Sequence, residues 1–190
     1  MTPRGLLVVI AGPSGVGKGS VHARVRAALP EAWLSVSLTT RPPRPTEADG
    51  VDYHFVDRPT FEQAIADGLL LEWTEYAGNL YGTPIAPVDE AIARGKVVVL
   101  DFELEGALNV KAMRPDDTLT IALLPPSMEE LQRRLRTRGT EVDDVLARRL
   151  EVIAAQMPHW RRFDRVIVND DLDRCVGEVL DAIAEARRVR

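Results

Sequence analysis

Six apolar residues, Leu6 to Ala11 (LLVVIA), run without a break into Gly12-Pro13-Ser14-Gly15-Val16-Gly17-Lys18. A short apolar run rich in β-branched side chains has no polar face to offer water. It reads as a strand of a parallel sheet, covered on both sides. The spacing behind it is GxxxxGK, and helical spacing follows from Ser20 to Leu29, stopping at Pro30. Glycines let several backbone N–H groups converge on one phosphate without Cβ clashes, and a helix N-terminus adds the positive end of its dipole. Lys18 adds a full charge for the outer phosphates. Strand, loop and helix in this order predict an α/β layer with an anion site beyond the strand's carboxyl end.

The rest of the chain keeps that rhythm. VVVL (97–100), LTIALL (119–124) and RVIV (165–168) predict further buried strands, which end at Asp101, Pro125-Pro126 and Asn169-Asp170. Helices are expected over Val88–Arg94, after Ser127, over Val142–Met157 and over Leu172–Arg187. Ser127 with Glu130 has the spacing of a capping box. Between residues 34 and 82 the rhythm breaks. A strand is expected over Leu34–Thr40, a Pro-rich loop over 41–50, a strand over Tyr53–Val56 and a helix over Thr60–Asp67. A hairpin then turns at Gly78-Asn79. These pieces are short and half polar, so the stretch reads as an insert on a mostly parallel layer.

With 190 residues the chain has the length of one domain. Lys and Arg number 24 against 29 Asp and Glu, a net charge of −5, which argues against a nucleic-acid partner. No run reaches the roughly 18 apolar residues of a spanning helix, so no membrane partner is expected. Met1 to Ala11 reads as a strand entry and not a signal peptide, and a lone Cys175 suits a reducing compartment. A cytoplasmic location is the expectation. His22, His54, His159 and Cys175 lack metal-ligand spacing, and no Ser-His-Asp or Cys-His arrangement is readable.

Two other clusters bear on anions. Arg41 and Arg44 sit three apart on a Pro-stiffened loop, and Tyr53 follows nine residues later. Their planar forks suit a phosphate, which each can grip with two parallel hydrogen bonds. Arg134 and Arg138 are four apart and share a helix face, with Gly139-Thr140 as a hinge before Arg149. Arg133, Arg136 and Arg148 read as a solvated face, and Trp73 as core. The residue after Lys18 is Gly19, where a metal-ligating hydroxyl is usual. A Mg²⁺ ion would then be held mainly through nucleotide and water, with Ser20 as the direct candidate.

The strings SVSLTTRPPR, DGVDYHF, LEWTEYAGNLYGTP, LPPSMEEL, RLRTRGTE and VIVNDDL together resemble guanylate kinase, in order and nearly end to end. That resemblance implies a P-loop NTPase core (1–33, 84–125 and 158–190), a small mixed nucleoside-monophosphate insert (34–83) and a helical lid (126–157). It implies Mg²⁺-dependent transfer from ATP to GMP. Gly12, Pro13, Ser14, Gly15, Val16, Gly17, Lys18, Gly19 and Ser20 would then cradle ATP, with Asn169 near the adenine. Ser37, Arg41, Arg44, Tyr53 and Tyr81 would hold the GMP phosphate. Glu72 and Thr83 would read the guanine, with Asp101 and Glu103 nearby. Lys18, Arg41, Arg134, Arg138 and Arg149 would assist the transfer.

A carboxylate suits guanine because it accepts from N1–H and the 2-amino group together, whereas adenine would leave its charge unpaired. Asn169 also suits a cap for the helix after it. The family commonly reads Asp-Ile-Asp-Val-Gln-Gly where this chain has Asp101-Phe102-Glu103-Leu104-Glu105-Gly106. Glu103 keeps the charge on a longer arm, and Glu105 adds a charge near an anion site. Two other readings stand beside the enzyme: a non-catalytic interaction module of the same fold, and a kinase of a phosphorylated sugar. Use of dGMP and oligomeric state stay open.

Overall fold

A computed structural model describes residues 5–30, 32–33, 35–137 and 143–188. Eight strands run in the order β1 (Leu6–Ala11), β2 (Leu38–Thr39), β3 (His54–Phe55), β4 (Leu70–Tyr76), β5 (Asn79–Pro84), β6 (Val97–Asp101), β7 (Thr118–Leu124) and β8 (Arg165–Val168). Seven helices accompany them among the described residues: α1 (Lys18–Ala28), α2 (Arg58–Ala66), α3 (Ile85–Ala93), α4 (Leu104–Met113), α5 (Met128–Thr137), α6 (Asp143–Gln156) and α7 (Leu172–Arg188). A 3₁₀ turn over Met157–Arg162 links α6 to β8.

The main sheet has the order β6-β1-β7-β8 and is parallel throughout. Every residue of β1 is fully buried, and its side chains alternate between two cores. Leu6, Val8 and Ile10 pack with Val21 and Val25 of α1 and with Cys175, Val179 and Ile183 of α7. Leu7, Val9 and Ala11 pack with Val88 and Ile92 of α3, Leu104 and Val110 of α4, and Trp160. Two apolar faces are why the strand shows no polar alternation. A third cluster, Leu131, Leu135, Leu146 and Ile153, joins α5 to α6.

The second sheet has the order β3-β2-β5-β4 and is mixed. β2 and β3 are parallel, and β5 is antiparallel to both β2 and β4. Several expectations change here. The strand expected from Leu34 shortens to Leu38–Thr39, and Trp33 instead bridges Val98 at the edge of the main sheet. Leu34 and Val142, the expected first residues of a strand and a helix, lie outside the described residues. The hairpin turns at Ala77-Gly78, both with positive φ (50° and 78°), one residue earlier than expected. Helix α4 was not anticipated. Trp73 is 48% exposed and is not core, because alternation along β4 puts it on the face opposite Glu72.

Candidate active site

The phosphate loop leaves β1, whose last residues pair with both neighbours: Ile10 lies opposite Asp101 of β6, and Ala11 opposite Ala122 of β7. Gly17 closes the loop in the left-handed region (φ 102°), and a Cβ there would stand 2.6 Å from Asn169 Nδ2. Lys18 opens α1. Its Nζ donates to the Gly12 carbonyl at 2.7 Å and lies 3.9 Å from Asp101 Oδ1 and 4.0 Å from Glu103 Oε1.

Two distant elements converge on one loop carbonyl. Asn169 Nδ2 donates to Val16 O at 2.8 Å, and Arg134 Nη1 donates to the same oxygen at 3.3 Å. Leu131 and Leu135 of α5 close over Gly15, where a Cβ would meet Leu135 at 2.7 Å. A cavity of about 470 Å³ opens here, lined by Gly15, Val16, Gly17, Ser20, Arg134, Asn169 and Leu172 among others. Asn169 is not a helix cap. Asp171 does that work, its Oδ1 accepting from Arg174 N at 2.8 Å. The capping box is also only half formed. Glu130 N donates to Ser127 Oγ at 3.2 Å, but the Glu130 carboxylate turns to Arg133 and Arg134 at 2.7 Å each. Those two guanidiniums pull its pKa down to about 2.

The second cavity, about 370 Å³, is lined by Lys18, Ser37, Tyr53, Glu72, Tyr81, Thr83, Asp101 and Glu103, with Thr74 and Phe102. Strand register explains the grouping. Glu72 pairs with Thr83, and Thr74 with Tyr81, so four side chains from β4 and β5 share one face. The Tyr53 and Tyr81 rings meet edge to face with centroids 6.1 Å apart. The Arg41 guanidinium lies 5.5 Å from the Tyr53 ring centroid. Lys18 lines this cavity while Gly17 and Ser20 line the first, so the two meet at the start of α1.

The electrostatics are divided in the same way. Burial, then the nearby charges of Glu103 and Asp101, pushes Glu72 up to about 7. Burial raises Asp101 to about 6, against the pull of Lys18. His22, buried beside Lys18, is lowered to about 4, and its Nε2 lies 4.0 Å from Asp101 Oδ2. Acid from Glu72, Asp101 and Glu103 thus gathers in the second cavity, and Arg41 stands against its Tyr53 ring.

Most of the candidates line these two cavities, but Gly12, Pro13, Ser14, Gly19 and Arg41 line neither. Arg44 is largely exposed, its side chain at 72%. Arg149 is half-buried on α6 and lines neither cavity. Arg138 lies outside the described residues. Glu105 lines neither cavity but an adjoining groove, which it shares with Trp73 and Met113 and also with Glu72 and Glu103. Two contributors were missed. Glu47 grips Arg41 through two hydrogen bonds, and Gly106 makes room for Glu72. A carboxylate three and six residues beyond two arginines was the available signal for the first. Among the described residues no helix is long and apolar enough to cross a membrane, and no group of three or more His, Cys, Asp or Glu could hold a metal.

A glycine-lined phosphate loop at the end of the central parallel strand, with a basic-and-acidic cavity adjoining its lysine, defines a P-loop kinase. The family model described as guanylate kinase matches residues 4–186. The chain is 47% identical over 184 residues to the guanylate kinase of Zymomonas mobilis, covering 97% of this chain and 85% of that protein. It is 49% identical over 185 residues to a guanylate kinase of Thermus thermophilus, covering 97% and 83%. The crystal structure of guanylate kinase from Anaplasma phagocytophilum superposes with a TM-score of 0.71 at 29% identity, covering 97% of this chain and 87% of the other. A shikimate kinase from Bacteroides thetaiotaomicron, at 14% identity and TM-score 0.51 over 94% and 98%, shares the fold alone. The chain belongs to the guanylate kinase family.

Proposed function

We propose that the chain transfers the terminal phosphoryl group of ATP to GMP, giving ADP and GDP. The observation that carries this is the junction of the two cavities at Lys18, with a paired Glu72 and Thr83 in the lining of the second. The GMP phosphate oxygen attacks the γ-phosphorus in line, the bond to the ADP oxygen breaks, and no phosphoenzyme forms. Such a transfer needs alignment and charge neutralisation more than covalent help.

In this reading the loop from Gly12 to Ser20 holds the triphosphate, with Asn169 at the adenine end. Arg41, Arg44, Tyr53, Tyr81 and Ser37 hold the acceptor phosphate. Glu72 and Thr83 read guanine, with Asp101 and Glu103 beside them. Residues 34–83 act as the acceptor insert, and 126–157 as a lid. Lys18 with Arg134, Arg138 and Arg149 steadies the moving group, and closure excludes water.

Mg²⁺ is the metal that suits this site. Ser20 lines the donor cavity and Asp101 lies beside Lys18, so the hard oxygen donors are few. That fits an ion that keeps most of its waters and binds through phosphates. Bound with ATP, it supplies neutralisation of phosphate charge. A coupled assay offering GMP, AMP and a ribose bisphosphate tests the reading. GMP should be strongly preferred, and a GMP rate no better than that with AMP would sink it.

A further inference from the structure

The Arg41 guanidinium is not left to find its phosphate unaided. Nη1 donates to Glu47 Oε2 at 3.0 Å and Nη2 to Glu47 Oε1 at 2.9 Å, a fork-on-fork pair. Its second Nη1 hydrogen goes to Pro42 O at 2.8 Å. The same carboxylate accepts the main-chain N–H of Arg44 at 2.8 Å. Both side chains are largely covered by their neighbours, with exposures of 17% and 13%. Tyr53 and Phe55 floor the guanidinium at 5.5 and 5.8 Å.

A guanidinium has two donor edges. Glu47 occupies the terminal one, so the edge turned to an anion is Nε–H with one Nη2–H, and the Tyr81 hydroxyl, which also bonds this guanidinium, stands beside it. We infer that Glu47 is a positioning residue: it takes the outer fork of Arg41 and the backbone of Arg44, so that Arg41 meets the acceptor phosphate edge-on in a fixed orientation. The inference rests on the function proposed above, in which Arg41 grips the GMP phosphate. Glu47 does not touch the nucleotide. It acts by freezing a long, rotamer-rich side chain before binding, which lowers the entropic cost of capture.

The test uses the full-length chain with ATP and Mg²⁺, comparing wild type, Glu47→Gln and Glu47→Ala. Glutamine keeps the volume but can accept from only one arm of the fork, so it remains informative if the alanine variant folds poorly. The KM for GMP should rise about tenfold in Glu47→Gln and further in Glu47→Ala, with the KM for ATP within about twofold. Guanosine, which lacks the phosphate, should inhibit all three proteins equally. An unchanged KM for GMP overturns the inference. So does guanosine inhibition that weakens in step with GMP, because Glu47 would then only hold the insert together. A wild-type chain that cannot use GMP overturns the proposed function itself, and the inference with it.

Discussion

Gly106 and Glu72 are packed so closely that a Cβ on Gly106 would lie 3.0 Å from Glu72 Cγ and 3.2 Å from its Oε2. The first turn of α4 thus sets where the Glu72 carboxylate can stand. Gly106→Ala separates two effects that usually move together. Alanine in a helix is favoured over glycine by up to about 1 kcal/mol, so thermal stability should hold or rise. The displaced carboxylate should raise the KM for GMP about threefold to tenfold. Melting curves and steady-state kinetics on one preparation check both.

Lys18→Ala removes the cation at the junction of the two cavities. Turnover should fall by two or more orders of magnitude while the circular dichroism spectrum stays that of wild type. Among the described residues the side chain bonds a loop carbonyl and lies about 4 Å from two carboxylates, ties on which the fold does not depend. A loss of less than tenfold in kcat would remove it from the transfer step.

Glu72→Gln should impair GMP use by two or more orders of magnitude in kcat/KM and leave the KM for ATP nearly unchanged. Its effect on stability carries a sign that depends on pH. Glu72 is raised from its ordinary value to about 7, so the folded state holds its proton more tightly than the unfolded chain. The contribution is therefore fully favourable below the unfolded pKa, is lost as pH rises from there to about 7, and levels off above it. Asp101, raised to about 6, acts in the same direction, and His22, lowered to about 4, acts in the opposite one. Comparing the variant with wild type isolates Glu72. The melting temperature of Glu72→Gln without nucleotide should exceed that of wild type by about 3 °C at pH 8 and match it near pH 4.5. A gap that widens on acidification would overturn the assignment.

Asn169→Ala removes the buried amide that holds the Val16 carbonyl. The lost bond should cost about 1–3 kcal/mol of stability. The KM for ATP should rise severalfold, with little change for GMP. Denaturant unfolding and separate titration of the two substrates measure these.

What the sequence revealed follows from where the information sits. β1 matches its predicted bounds because an unbroken apolar run between loops leaves one solution; β8 matches in extent but not in burial, since it is an edge strand in which only Ile167 is buried. The phosphate loop was equally legible, since its chemistry is contained in seven consecutive residues. Helix α4 was not. Its buried Leu104, Ala107 and Val110 are interrupted by Gly106 and Asn109, which lower helix propensity. Glycine there answers to Glu72, which is 34 positions away in the chain. Glu47 was legible only as a carboxylate three and six residues beyond two arginines. Its partners are set by how a Pro-rich loop folds back, and no periodicity describes that. The turn at Ala77-Gly78 went to an alanine with φ of 50°, which propensity alone disfavours.

Because β1 has hydrogen-bonded neighbours on both edges and a sealed core on both faces, its amides should be among the last in the molecule to exchange with heavy water. In the function proposed above, the triphosphate would be seated on the molecule's anvil. In that reading any jaw movement would fall to the rim: to the small mixed sheet, and to the α5–α6 pair, which carries a four-residue core of its own but would have to release Arg134 from the Val16 carbonyl and Leu135 from Gly15 to swing.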